Sequence, residues 1–186
     1  MPKDQPFAAN VSSSEVVFQG MIWNVLSERF AFSNDELTRE FVQHPGAVAV
    51  LALNDQGQVL MIKQYRHPVR ELLWEIPAGL LDVSGESAPV AAQRELIEET
   101  GYQAASLEPL IDFYTTPGGN NEKISVFLAR NLSFVGRPPL QEGEERELVV
   151  EWFDIDEAVR SVLSSEIKSP SAVVAIMAFA LKKRNK

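Results

Sequence analysis

The run from Pro89 to Thr100 carries helical spacing, opens on a proline that a first turn tolerates, and is followed by Gly101, suited to a left-handed carboxyl-terminal cap. At about 100° per residue and with Val90 at the origin, Glu98 falls near ~80°, Glu95 near ~140° and Glu99 near ~180°. Leu96 and Ile97 fall near ~240° and ~340°. Three carboxylates therefore share one face, and the larger apolar side chains take the other. Like charges three and four residues apart repel by a few tenths of a kcal/mol per pair, so this face asks for a cation. Arg94, near ~40°, can offset one carboxylate. A hard divalent ion such as Mg²⁺ answers the rest, because it prefers oxygen ligands and joins carboxylates to substrate phosphates. On the helix alone, a solvated acidic face braced by Arg94 stands as the other reading.

Composition narrows the chemistry. There is no cysteine and there are two histidines, which excludes a thiolate nucleophile, a disulfide framework and most zinc sites. Reactivity must come from carboxylates, lysines, arginines or backbone. With 26 acidic against 17 basic side chains the net charge is −9, which argues against nonspecific nucleic-acid binding. Lys182, Lys183, Arg184 and Lys186 then read as a solubilising tail. No apolar run reaches the roughly 20 residues of a membrane span, and Met1 to Glu15 is polar where a signal peptide is apolar. A soluble, cytoplasmic protein with no membrane partner is expected.

Along the chain, Met1 to Ser14 reads as a loose tail, and Val16 to Phe32 with Glu36 to Val42 as an antiparallel meander turning at Ser33 to Asp35. Ala47 to Leu53 and Val59 to Tyr65 are apolar, β-branched runs joined by Asn54 to Gly57, the composition of a hairpin turn. Ser106 to Tyr114, Ile124 to Ala129 and Leu148 to Phe153 read as strands, and Ile155 to Leu163 and Ser169 to Lys182 as helices. Strands and helices mix without strict βαβ alternation, which predicts an α+β fold. The expected division is an amino-terminal antiparallel sheet over 1–45 and a larger domain over 46–186.

The segment around the helix is more specific. Gly79 to Glu86 precedes it, seven residues separate Glu86 from Arg94, and Arg94-Glu95-Leu96-Ile97-Glu98-Glu99-Thr100-Gly101-Tyr102 ends it. This resembles the signature box of the Nudix hydrolases, with six residues instead of the usual five between the first glycine and the first glutamate. Gln64 to Pro68, Trp74 to Gly79, Pro117-Gly118 followed by Glu122, and Trp152 are similar to the bacterial ADP-ribose pyrophosphatase branch. Pro117 stands 117 − 101 = 16 residues past Gly101, that branch's characteristic offset. In place of the branch's Pro-Gly-Phe-Ser-Asp-Glu stretch, this chain has Pro117-Gly118-Gly119-Asn120-Asn121-Glu122.

The resemblance implies a Nudix-type mixed β-sheet sandwiched between helices, and Mg²⁺-dependent hydrolysis of ADP-ribose to AMP and ribose 5-phosphate. Another nucleoside diphosphate sugar or a dinucleotide is the alternative substrate, and a non-catalytic nucleotide sensor the reading from a different class. It further implies Glu95, Glu99 and the Ala78 carbonyl as main metal ligands, with Glu98 binding directly or through water and Mn²⁺ as a substitute ion. Arg66 matches the branch's phosphate contact, and Glu75 falls among the implied substrate-binding residues. The general base of the branch is a glutamate on a loop after the box; counting back from the Trp152 strand selects Glu145, then Glu144. A homodimer exchanging its amino-terminal sheets is implied too, with Arg39 of the second chain and Trp23 enclosing the adenine. His44 and His67 receive no catalytic role.

Overall fold

The structure, a computed structural model, describes residues 1–138 and 148–184. The chain divides into two compact units, residues 1–44 with 114–122 and residues 45–113 with 123–186.

The first unit is a three-stranded antiparallel sheet of β1 (Asn10–Gln19), β2 (Asn24–Phe32) and β3 (Asp35–Gln43) in that order. The run expected as one strand from Val16 to Phe32 is broken at Gly20, whose N–H donates to the Trp23 carbonyl at 2.9 Å and reverses the chain. The expected loose tail is also shorter than read, because Asn10 already pairs with Ala31. Polar residues in Asn10 to Ser14 hide a strand whose register comes from β2 and not from its own hydrophobic pattern. The loop over 114–122 joins this unit through Val42 N–H to the Gly119 carbonyl and His44 N–H to Asn121 Oδ1.

The second unit holds two further sheets. One has the order β10 (Val149–Asp154), β5 (Gln58–Arg66), β6 (Glu71–Glu75); the other has β7 (Ala78–Leu80), β4 (Ala47–Ala52), β9 (Lys123–Phe134), β8 (Tyr102–Tyr114). The helices are α1 (Ala88–Thr100), α2 (Ile155–Leu163) and α3 (Pro170–Arg184). β4 pairs in parallel with β9 and antiparallel with β7, and all six of its residues are buried. That is why Ala47 to Leu53 reads as a continuous apolar run, as expected of a strand covered on both faces. Its alternate residues Ala49 and Leu51 pack with Ala158 of α2 and Ala172, Ala175 and Ile176 of α3. Val48, Val50 and Ala52 pack with Ala91, Ala92 and Leu96 of α1. The result is the α+β sandwich, helices on both faces of mixed sheet.

The hairpin expected between β4 and β5 does not form. The turn itself does: Gly57 N–H donates to the Asn54 carbonyl at 3.1 Å, and Asn54 Oδ1 accepts from the Gln56 and Gln58 N–H groups. Beyond a single bridge between Leu53 and Val59 the strands diverge, β4 to β9 and β5 to β6 and β10. Turn chemistry is local, whereas both strands are apolar enough for the interior to claim them for different sheets. Among the described residues no helix is long and apolar enough to cross a membrane.

Candidate active site

α1 is begun by Ser87 with a proline in its first turn and ended by Gly101 at φ 77°, whose N–H donates to the Ile97 carbonyl. A side chain at Gly101 would also meet the backbone of Gly136 and Arg137 and the Phe134 ring. α1 buries a face on which small and apolar side chains are joined by one carboxylate and one hydroxyl. Ala91, Ala92, Leu96, Glu99 and Thr100 are buried, while Val90 is 56% exposed. The face turned toward the sheet is thus apolar apart from Glu99 and Thr100: two alanines let the helix approach β4 closely, Glu99 finds a donor there, and Leu96, expected opposite the carboxylates, is buried beside it while Glu98 stays outside.

That donor is the N–H of Ala78, 2.9 Å from Glu99 Oε2. β7 is pinned to β4 through Ala49 opposite Ala78 and Val48 opposite Gly79, with Val50 N–H donating to the Pro77 carbonyl. A Cβ on Gly79 would collide with the Glu95 carboxylate, so glycine leaves the space that carboxylate occupies. Ala78, Glu95 and Glu99 are thereby brought to one place between β7 and α1. Glu98 is half-exposed on the rim.

Arg94 organises the remainder. It forks onto Glu86, Nε to Oε1 at 3.0 Å and Nη2 to Oε2 at 2.9 Å, and its Nη1 reaches Glu95 Oε1 at 2.6 Å and Glu98 Oε2 at 3.1 Å. The Arg94 hydrogen bonds hold the Glu86 carboxyl below the usual range, and Glu86 first, then Glu95 and Glu98, push the guanidinium above its own. The extra residue of the 79–86 loop does not prevent Glu86 from reaching Arg94.

A hard divalent cation fits this donor set: carboxylates of Glu95, Glu98 and Glu99, a backbone carbonyl at Ala78, and a glycine cradle that keeps Glu95 close to that loop. In the arrangement described, Glu95 and Glu98 turn to Arg94, and among the described residues no three acidic or histidine groups stand as a closed metal cluster.

Elsewhere in the second unit Arg66, at the end of β5, pairs with Glu75 of β6 through two hydrogen bonds. Glu144 and Glu145, the expected base and its neighbour, lie outside the described residues. In the first unit Arg39 is exposed on β3, with Nη1 donating to the Thr38 carbonyl at 2.8 Å. There too Trp23 stacks on His44 at 4.3 Å between ring centroids, and His44 Nε2 lies 3.1 Å from Glu122 Oε1. Glu122 also accepts from Thr115 Oγ1 at 2.6 Å. Burial pushes the His44 pKa down against the opposing pull of Glu122. His44 and Thr115 were invisible to motif reading, since neither stands at a recognisable spacing from its partners.

The NUDIX domain profile matches residues 43–172. An ADP-ribose pyrophosphatase of Mycobacterium tuberculosis is 42% identical over 167 residues, spanning 89% of this chain and 80% of that protein. An ADP-ribose pyrophosphatase of Bacillus subtilis is 40% identical over 172 residues, 91% of each chain. A crystal structure described as that of an ADP compounds hydrolase shares the fold with a TM-score of 0.75 over 98% of each chain, at 21% identity.

Proposed function

The chain belongs to the NUDIX family and is a Nudix hydrolase, and from that premise we propose that it cleaves the pyrophosphate bond of ADP-ribose, giving AMP and ribose 5-phosphate. The observation that carries this reading is the meeting of Glu95, Glu99 and the Ala78–Gly79 backbone, together with relatives of that name matching nearly the whole chain.

Nudix hydrolases use divalent ions, and we assign Mg²⁺, with Mn²⁺ as a substitute, to Glu95, Glu98, Glu99 and the Ala78 carbonyl. When bound, the ion neutralises phosphate charge and raises the fraction of ionised water. The protein's own groups do the rest. Arg66 meets a phosphate oxygen, to which a guanidinium is matched in charge and shape. Glu99, held by the Ala78 N–H, ties the carboxylate face of α1 to β7 and keeps the ligand loop from drifting. Glu145, with Glu144 next, takes the proton from the attacking water, whose oxygen adds to phosphorus as the bridging P–O bond breaks. Glu145→Gln lowers kcat by roughly 10²-fold with metal affinity unchanged; an undiminished rate in a kinetic assay would pass the role to Glu144.

The protein acts as a cytoplasmic homodimer. Support comes from β1, exposed along its whole length and carrying Val16, Val17 and Phe18 at the surface. In that dimer Arg39 of the second copy and Trp23 enclose the adenine. The functional test is chromatography of products after incubation with ADP-ribose, with and without Mg²⁺. AMP and ribose 5-phosphate formed only with metal support the reading; no turnover overturns it. Because the 117–122 stretch departs from the branch pattern and Glu122 is committed to Thr115 and His44, other nucleoside diphosphate sugars belong in the same assay.

A further inference from the structure

Glu75 ends β6 with a side chain only 6% exposed, and both of its oxygens are engaged by one guanidinium. Arg66 Nε–H donates to Oε1 at 2.8 Å and Nη2–H to Oε2 at 2.9 Å. The pairing is not the one the ladder offers first. The β5–β6 register sets Arg66 opposite Glu71 and Ile62 opposite Glu75. Arg66 therefore passes its direct cross-strand carboxylate, which is bound to Lys168, and lies back along β5 to reach Glu75. A buried carboxylate facing a dianionic pyrophosphate would repel it unless a cation stood between them.

We propose that Glu75 is a positioning residue that acts on substrate only through Arg66. The bidentate pair lays the guanidinium along β5 and holds it in one orientation toward a phosphate oxygen. The same pair halves the local charge problem: the carboxylate needs the arginine to remain buried, and the arginine needs the carboxylate to hold one conformation out of the many its side chain can take. This differs from the place among substrate contacts that the sequence resemblance gives Glu75, and it rests on the reading of Arg66 as the phosphate contact.

The test is a double-mutant cycle on the full-length protein with Glu75→Gln, Arg66→Ala and the double variant, with Arg66→Lys in place of Arg66→Ala should the latter not fold. Two quantities are read: KM and kcat for ADP-ribose with Mg²⁺, and Kd for ADP-ribose and for inorganic pyrophosphate by calorimetry with metal chelated. Glu75→Gln is expected to weaken both KM and Kd about tenfold, the scale of a misplaced charged hydrogen bond. In the Arg66-substituted background it is expected to add less than about twofold. A full additional loss in that background would mean Glu75 touches substrate itself and overturns the proposal. So would a Glu75→Gln protein with a lower Tm but unchanged KM and Kd, which is a purely structural role. Wild-type protein that binds pyrophosphate but does not turn over ADP-ribose would sink the proposed activity while the Kd cycle still decides the role of Glu75. Wild-type protein that neither turns over ADP-ribose with Mg²⁺ nor binds either anion overturns both.

Discussion

β4 and β1 are both strands rich in valine or alanine, yet every residue of β4 is buried and every residue of β1 is exposed. β4 has neighbours on both edges and helices on both faces, so its apolar atoms are withdrawn from water within the chain itself. β1 has one neighbour, β2, and leaves Val11, Val16, Val17 and Phe18 on the surface. The difference separates two kinds of hydrophobic segment: one that stabilises the fold that carries the carboxylates, and one left at the surface of its own sheet.

That contrast is open to attack. Leu51→Ala in β4 removes a side chain with no exposure and is expected to cost about 2–5 kcal/mol in denaturant unfolding. A comparable loss from Val17→Ala in β1 would erase the distinction. Glu99→Gln keeps an acceptor for the Ala78 N–H but removes a charge from the carboxylate face; kcat is expected to fall roughly 10²-fold, or about 2.7 kcal/mol, while Tm barely moves. A large fall in Tm would show that the buried carboxylate is a structural device first. If β1 forms the proposed dimer, wild-type protein scatters light as twice 20.7 kDa and Phe18→Ser should lower that mass toward a single chain while leaving unfolding of each chain within about 0.5 kcal/mol. An unchanged dimer would place the contact elsewhere than β1.

The smallest effect is a pH dependence confined to the first unit. The folded His44 pKa lies below its ordinary value of 6.5, so the unfolded chain takes up a proton first on acidification. The stability His44 contributes is complete above pH 6.5 and is lost as pH falls from there through the lowered folded value. Because Trp23 stacks on His44, its fluorescence reports the change, and His44→Gln should flatten it.

Much of the site was legible in order but not in orientation. The 79–102 box named the carboxylates, and α1 starts and ends within a residue of the expected span because a first-turn proline and Gly101 act locally. The periodicity set Leu96 and Ile97 opposite the three carboxylates, but Leu96 is buried beside Glu99, and Glu98 shares the outer side with Val90 and Ile97. It did not say which side faces inward, and Val90 is outside while Glu99 is buried. β6 and β7 escaped notice because five and three residues are too short to show an alternation, though they carry Glu75, Ala78 and Gly79.

The sequence by itself determined the elements whose signals lie within a few residues: helix caps, the Asn54–Gly57 turn, the apolar run of β4 and the spacing of the carboxylates. Only the tertiary structure decided partners that are distant along the chain. It sent β4 and β5 to different sheets, turned Glu99 of α1 onto the Ala78 N–H, and laid Arg66 on Glu75 instead of Glu71. The physical reason is that local signals constrain a residue's own backbone, whereas burial and charge pairing are properties of two surfaces meeting, and the lowest free energy among such meetings is set by the whole packed unit.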